Sequence, residues 1–138
     1  MSRLTRFAHL PREQQRLHLQ ACALDATFRI LVVLTSFSVA RSFALRVSNA
    51  RRNIVKIQIV RAVTAAGRAV PGSNCLSEAL TLWVLLSRGG YVPVLRIGVG
   101  TNEKFAAHAW VECDGVAVLG GDVDQEYLPL QGPDVMRS

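Results

Sequence analysis

The apolar and polar positions divide the chain into a helical first part and a second part in which they alternate. From Leu10 to about Leu45, apolar residues recur mostly at intervals of three and four, the period of amphipathic helices. Leu10-Pro11 marks a helix start, because proline is favoured in a first turn. Thr35-Ser36 interrupts the pattern, and residues 49–53 are polar and basic. We therefore predict two helices followed by a connection.

The next segment, Ile54 to Ala66, fits two structures. Its β-branched content favours a strand, whereas Val55, Ile59, Ala62, Val63 and Ala66 form a stripe with helical spacing. We predict a helix, with Gly67 placed just after its last residue as a C-terminal glycine.

The most informative stretch follows at Pro71-Gly72, a pair that interrupts regular structure. Ser73 and Asn74 both suit an N-cap, because their side-chain oxygens accept hydrogen bonds from first-turn amides. Residues 76–86 are apolar on nearly all sides, as in a buried helix, and Gly89-Gly90 ends the pattern. Cys75 is thus predicted at the first turn of a core helix.

The remaining chain has the alternation of strands. Tyr91 to Gly100 and Phe105 to Cys113 are predicted strands, separated by a polar turn at Thr101 to Lys104. Asp114-Gly115 is a strong hairpin signal, and Val116 to Leu119 returns antiparallel to the second strand. The predicted fold class is α+β, with N-terminal helices followed by one buried helix packed on a small antiparallel sheet.

The length of 138 residues is that of one domain. We assign residues 1–50 to a basic helical N-terminal part and residues 51–138 to the core of the same domain. Up to residue 74 the chain carries twelve arginines and lysines against Glu13 and Asp25, a balance of +10, and the remainder carries four basic and eight acidic residues, a balance of −4. This asymmetry suggests an acidic partner for the first part, or simply solvated helix faces.

Cysteine content and the N-terminus suggest the cytoplasm. Three cysteines, Cys22, Cys75 and Cys113, are an odd and sparse set that argues against a disulfide framework. No signal peptide pattern follows Met1. The uncharged apolar run from Ile30 to Ala40 is shorter than the roughly 20 residues of a membrane span. We expect no transmembrane segment, although this run has a composition that suits a membrane surface or a partner.

Cys75 and His108 together suggest nucleophilic catalysis. A helix N-terminus stabilises a thiolate and can bind an oxyanion. Strand alternation places His108, Trp110 and Glu112 on one face, and a histidine near the thiol can accept its proton and later protonate a leaving amine. A lone cysteine is more often core packing and a lone histidine is more often structural, so the pair carries the hypothesis.

A third group would orient the histidine, and the hairpin register restricts the choice. A two-residue loop pairs Cys113 with Val116 and, in ideal register, His108 with Gly121. Asp122 is then the nearest carboxylate, but its side chain would face away unless a bulge at Gly120-Gly121 redirects it. Asp122 is the first candidate, and Asp124 is the second.

Several segments in this order resemble one known family. Asn74-Cys75-Leu76 with the core helix, Arg96-Ile97-Gly98-Val99, His108-Ala109-Trp110-Val111-Glu112 and Leu119-Gly120-Gly121 resemble the leader peptidases of lasso-peptide biosynthesis, which are transglutaminase-like cysteine peptidases. The similarity spans roughly residues 50 to 130. It implies a papain-like or transglutaminase-like core and a Cys75–His108–Asp triad.

The resemblance also implies a substrate and partners. The substrate would be the leader region of a ribosomally made precursor peptide, delivered by a small leader-binding protein of the same pathway. Ring closure would belong to a separate ATP-dependent cyclase, a further possible partner. No cofactor, metal or nucleic acid is implied.

Other parts of the site are less defined by sequence. The backbone amide of Cys75 is a natural oxyanion donor, and Ser73 and Asn74 are candidates to assist it. Trp110 is a candidate wall of the substrate site, but a core aromatic is its more common role.

Four alternatives remain open. A zinc site from Cys75, His108 and Cys113 lacks the usual ligand spacing. A nucleic-acid-binding module fits the charge but lacks stacking aromatics and a recognition motif. A transglutaminase-like acyltransferase would use the same Cys-His-Asp site, because an acyl-enzyme reacts with water or with an amine. A non-catalytic scaffold in a biosynthetic complex is the fourth.

Overall fold

The computed structural model describes residues 2–100, 107–119, 127–129 and 136–137. Its helices are α1 (Arg3–Ala8), α2 (Arg12–Leu34), α3 (Phe37–Val47), α4 (Lys56–Ala69) and α5 (Cys75–Arg88). Its strands are β1 (Pro93–Gly100), β2 (Ala107–Cys113), β3 (Val116–Leu119), β4 (Tyr127–Pro129) and β5 (Met136–Arg137). The α+β prediction is confirmed.

The predicted break in the first helical region is present between α2 and α3. Ser36 is the N-cap of α3, and its hydroxyl accepts a hydrogen bond from the Val39 amide at 3.4 Å. The ambiguous segment is helical, as predicted, but α4 continues to Ala69. The placement of Gly67 after the helix is therefore wrong. Gly67 lies within α4, and the Glu78 carboxyl packs against it. A Cβ at position 67 would lie only 2.6 Å from the Glu78 Cδ, so a larger residue would not fit there without a shift.

Helix α5 lies at the centre of the core. Leu80, Leu82, Trp83, Leu85 and Leu86 are at most 1% exposed, as expected for a helix that is apolar on nearly all sides. One hydrophobic cluster includes buried residues of α2, α3, α4, α5, β1 and β2. The basic first fifty residues thus contribute directly to the core that surrounds α5.

Helix α2 has an apolar composition but is partly buried in this core. By length and hydropathy it qualifies as a membrane span, yet the core helix of a soluble protein passes the same test. Leu17, Ala21, Leu24 and Phe28 form its buried side. Its span-like composition is therefore weak evidence for a membrane, and the cytoplasmic location remains a prediction.

The sheet is antiparallel, with β2 between β1 and β3 and with β4 and β5 both paired to β1. Leu95 of β1 and Val111 of β2 are register partners, and both are fully buried on the side of the core. The Asp114-Gly115 turn is present, with φ values of 56° and 78°. Positive φ at both positions gives the turn the twist that a two-residue hairpin needs.

The hairpin departs from the predicted ideal register after two residue pairs. Cys113 pairs with Val116 and Glu112 with Ala117, as predicted, but Val111 pairs with Leu119 instead of Val118. A β-bulge therefore lies between these pairs, whereas the bulge considered at Gly120-Gly121 lies outside the described residues. The observed bulge displaces the pairing of β3 by one residue relative to β2.

Candidate active site

Cys75 is the first residue of α5 and Asn74 is its N-cap, which agrees with the predicted position of Cys75 in the first turn. The Asn74 side chain accepts a hydrogen bond from the Ser77 amide at 2.9 Å, and the Ser77 hydroxyl accepts one from the Asn74 amide at 3.0 Å. This reciprocal capping box fixes where α5 begins. Cys75 is half-buried and packs against the core, so its position is determined by the cap and by the helix behind it.

The three cysteines have different environments. Burial raises the pKa of the Cys22 thiol, and the Asp25 carboxylate raises it further. Cys113 is buried on the core side of β2. The raised pKa disfavours the nucleophilic thiolate at Cys22, and burial restricts the access of a substrate to Cys113. Cys75 is the cysteine of this chain that lies at the N-terminus of a helix.

His108 lies on β2, which packs against α5 through alternate residues. Ala109, Val111 and Cys113 are buried. His108 and Trp110 alternate with them along β2, so they lie on the opposite face of the strand, where they are half-buried. The His108 ring is stacked on the Trp110 ring, with centroids 6.1 Å apart and planes inclined by 18°. Trp110 is therefore a neighbour of the imidazole and is outside the buried core.

A charged network holds Trp110 in place. The indole Nε1 of Trp110 donates a hydrogen bond to Glu112 Oε1 at 3.1 Å, and Arg96 Nε donates to Glu112 Oε2 at 3.1 Å. Both oxygens of one carboxylate are thereby used, which fixes the indole that stacks on His108. Sequence reasoning assigned no role to Arg96 or Glu112, although alternation already placed Glu112 on the His108 face.

The polar residues before Cys75 are engaged in local structure. The Ser73 hydroxyl donates to Asp25 Oδ2 at 2.7 Å, and the Asn74 amide and side chain belong to the capping box. Within the described residues, the backbone amides of Cys75 and Leu76 donate no hydrogen bond. Free first-turn amides are suitable oxyanion donors, so these two amides are better placed for that role than Ser73 or Asn74.

The proposed third member of the triad is not located. Asp122 and Asp124 both lie outside the described residues. Among the residues that are described, no group of three histidine, cysteine or carboxylate side chains is arranged to hold a metal ion.

A buried polar cluster was missed by sequence reasoning. Asp25 of α2 and Ser77 of α5 are fully buried, and Ser73 links Asp25 to Glu78. Burial raises the pKa of the Glu78 carboxyl, the Asp25 charge raises it further, and a hydrogen bond with Ser73 partly opposes both. An aspartate in the middle of an apolar helix was the available signal, but its partner is 48 residues away in sequence.

This cluster makes stability depend on pH. A carboxyl with a raised pKa binds its proton more tightly in the folded state than in the unfolded state, where the glutamate pKa is about 4.3. Its contribution is fully present below pH 4.3 and is lost as the pH rises through the folded-state value. We expect the unfolding free energy of the wild type to decrease relative to Glu78→Gln as the pH is raised from 4 to 8.

Urea unfolding at several pH values measures this difference. Glu13→Gln is the matched control, because Glu13 is an exposed glutamate in the first turn of α2. The unfolding free energy of this control should differ from that of the wild type by the same amount at every pH in this range. If the difference in unfolding free energy between Glu78→Gln and the wild type is also independent of pH, the prediction is wrong.

A model of one protein family matches most of the chain. The family is described as the transglutaminase-like superfamily, and the match covers residues 22–131. No curated protein and no solved structure gave a match. The matched range includes α5, the described strands β1 to β4, and α2 from Cys22 onward.

Proposed function

Because the chain belongs to the transglutaminase-like superfamily, we propose that it is a cysteine peptidase that removes the leader from a lasso-peptide precursor. Members of this superfamily are often cysteine peptidases or acyltransferases, which share an acyl-enzyme chemistry. The observation that carries the proposal is Cys75 at the capped N-terminus of the core helix, with His108 on a strand that packs against this helix.

In the proposed mechanism, His108 accepts the Cys75 proton and the thiolate attacks the scissile carbonyl carbon. The carbonyl π electrons move to oxygen, and the Cys75 and Leu76 amides stabilise the resulting oxyanion. Collapse of this intermediate breaks the C–N bond, and His108 protonates the leaving amine. Water, deprotonated by His108, then attacks the thioester and releases the acid and the thiol.

Asp122 remains the proposed residue that orients His108, and the observed bulge supports it. The bulge pairs Val111 with Leu119. An antiparallel pairing that kept this offset for three more residues would match His108 with Asp122. Directly paired residues share a face of the sheet, so the same carboxylate would no longer need a bulge at Gly120-Gly121. Asp124 is the second candidate.

The reaction product separates a peptidase from an acyltransferase. Incubation with the precursor peptide in ¹⁸O-labelled water should place one label in the new carboxylate of the released leader fragment. An acyltransferase would instead join the acyl group to an added amine, such as hydroxylamine or a lysine side chain. Mass spectrometry of the products distinguishes the two, and amine adducts without labelled acid would contradict the peptidase proposal.

The docking role that we propose for the basic helices is supported by a surface cavity. A cavity of about 240 Å³ is lined by polar residues that include Glu13, Arg16 and Gln20 of α2 together with Arg52 and Gln58. The Arg52 amide donates to the carbonyl of Arg88, the last residue of α5. The cavity therefore lies at the far end of α5 from Cys75, about 21 Å away for 14 helical residues.

This separation suits a peptide that docks away from the scissile bond. An extended segment of about six residues spans 20 Å, and two arginines favour an acidic side chain or carboxylate. We propose that this cavity contacts the leader or the small leader-binding protein, and that the ATP-dependent cyclase is a further partner.

We expect the leader-binding protein to increase the rate of leader cleavage. Docking of the leader would hold the scissile bond near Cys75, so that cleavage no longer depends on the encounter of two free molecules. An increase of about tenfold or more is expected, and Arg52→Glu should reduce it by reversing the charge at the cavity. Cleavage rates with and without the partner measure the effect.

Arg41→Glu is the matched control for the charge reversal, since Arg41 is exposed on α3 and does not line the cavity. The docking proposal fails if the partner leaves the wild-type rate unchanged, or if both reversals reduce the stimulation equally.

A further inference from the structure

The first turn of α5 is attached to α2 through three polar residues. Ser73 Oγ is 2.7 Å from Asp25 Oδ2 and 3.3 Å from Glu78 Oε1. Ser73 precedes Cys75 by two residues, and Glu78 follows it by three, so the two attachments lie on either side of the cysteine. On a helix, residues three apart are neighbours. We refer to these residues as the Asp25–Ser73–Glu78 chain.

The number of available protons constrains this chain. The Ser77 hydroxyl donates its proton to the Asn74 carbonyl at 3.1 Å, so it has none for Ser73. The Ser73 hydroxyl has a single proton, and its shortest contact is with Asp25. The hydroxyl also donates towards Glu78 Oε1, at the longer distance of 3.3 Å. Asp25 and Glu78 therefore compete for the one proton of Ser73, and Asp25 has the shorter contact.

Burial makes the contact between Ser73 and Asp25 consequential. Asp25 is fully buried, and its Oδ1 has no hydrogen-bond partner among the described residues. Ser73 is thus the donor on which the Asp25 carboxyl depends within this part of the chain. An unpaired buried carboxylate is costly, so this contact restrains the turn before Cys75 strongly.

The surroundings provide little compensation for a second charge. Cys22 of α2 is close enough to Asp25 for the carboxylate to raise its pKa, and uncharged Gly67 of α4 lies against the Glu78 carboxyl. Arg29 of α2 covers Gly72, whose positive φ forms the turn before α5. Among the described residues, Arg29 makes no ion pair with Asp25 or Glu78.

We propose that Asp25 and Ser73 are positioning residues for Cys75, and that Glu78, three residues after Cys75 on the same helix, disfavours the thiolate when its carboxyl ionises. This inference rests on the proposed role of Cys75 as the nucleophile. Ionisation makes the Glu78 carboxylate a stronger competitor with Asp25 for the single proton of Ser73. It also adds a negative charge to the turn in which the thiolate forms, where the two charges repel each other.

The rate of Cys75 alkylation by iodoacetamide between pH 5 and pH 9 tests the proposal. Iodoacetamide is uncharged, so its encounter with the enzyme is insensitive to the charge of Glu78, and labelling at Cys75 is quantified by mass spectrometry of a digest. Glu78→Gln keeps the size of the side chain and an acceptor oxygen for Ser73, and it cannot ionise. We expect it to match the wild type near pH 5 and to react about two- to fivefold faster at pH 8.

Two variants at Ser73 separate positioning from general stability. Ser73→Ala removes the hydroxyl and should slow alkylation of Cys75 over the whole pH range, whereas Ser73→Thr keeps the hydroxyl and should restore it. Circular dichroism and thermal unfolding of each variant identify any that fail to fold. The alkylation rate of Cys22 is the internal reference for that of Cys75. Glu13→Gln is the control for removing a glutamate charge.

Identical pH profiles for the wild type and Glu78→Gln would overturn the proposal, as would a Ser73→Ala variant that is folded and reacts normally. This experiment requires no substrate, so its result is independent of leader cleavage. If alkylation follows the proposal but no leader is cleaved, the peptidase assignment fails and the positioning role is retained.

Discussion

Replacing Cys75 by alanine is expected to abolish cleavage of the precursor peptide, with a loss of at least about a thousandfold in rate. The proposed acyl-enzyme cannot form without the thiol. The fold should survive, because Asn74 and Ser77 cap α5 independently of the thiol and Cys75 is only half-buried. Release of the leader fragment, quantified by mass spectrometry, measures the loss.

Cys22→Ala is the matched control for this variant. Cys22 is also half-buried, but its environment keeps the thiol protonated, so its removal should leave cleavage largely unchanged. His108→Ala should reduce both leader cleavage and the alkylation rate of Cys75, because it removes the proposed base. If Cys75→Ala retains cleavage, the nucleophile is another residue and the proposed mechanism is wrong.

Replacing Phe28 by alanine is expected to destabilise the whole chain by about 3–5 kcal/mol. Phe28 of α2 is fully buried and meets Phe43 of α3 edge-on, with ring centroids 5.7 Å apart and planes at 75°. A domain of this size has a total stability of about 5–15 kcal/mol, so the loss is large. The substitution would remove a contact from the hydrophobic cluster that also surrounds α5.

Urea unfolding followed by two signals tests this expectation. Circular dichroism is dominated by the helices, whereas tryptophan fluorescence reports Trp83 in α5 and Trp110 in β2. The midpoints of both transitions should shift to the same lower urea concentration. Leu19→Ala is the control, because Leu19 is on the same helix but is 60% exposed, so a change within about 0.5 kcal/mol is expected.

A Phe28→Ala transition that shifts in circular dichroism while the tryptophan signal stays at the wild-type midpoint would contradict this expectation. Residues 1–50 would then unfold separately from the remainder, and our assignment of both parts to one domain would be wrong.

Local signals in the sequence were sufficient for most of the elements. The capping residues and the apolar run predicted α5 with Cys75 in its first turn, and the Asp114-Gly115 pair predicted the hairpin that joins β2 to β3. These features depend on neighbours in sequence, so propensity and periodicity carry the information. Helix α1, a six-residue element without buried residues, has no apolar period and was not predicted.

Features that join distant segments could not be predicted in this way. Gly67 was expected to end α4, but the helix continues to Ala69, and the Glu78 side chain of α5 packs against this glycine. The register of the β2–β3 hairpin also shifts after two residue pairs, where the sequence predicted ideal register. The contact between Gly67 and Glu78 joins two helices, so local propensity contains no information about it.

The sequence by itself thus determined the order of helices and strands, the capped start of the cysteine helix and the two candidate catalytic residues, because each is encoded in a short segment. Tertiary structure alone decided that Asp25 attaches α2 to the turn before Cys75, and that Arg96 and Glu112 hold Trp110 beside His108. A buried carboxylate and a stacked imidazole acquire their partners only when separate elements pack together, since hydrogen bonds and ring contacts depend on distance in space and not on spacing along the chain.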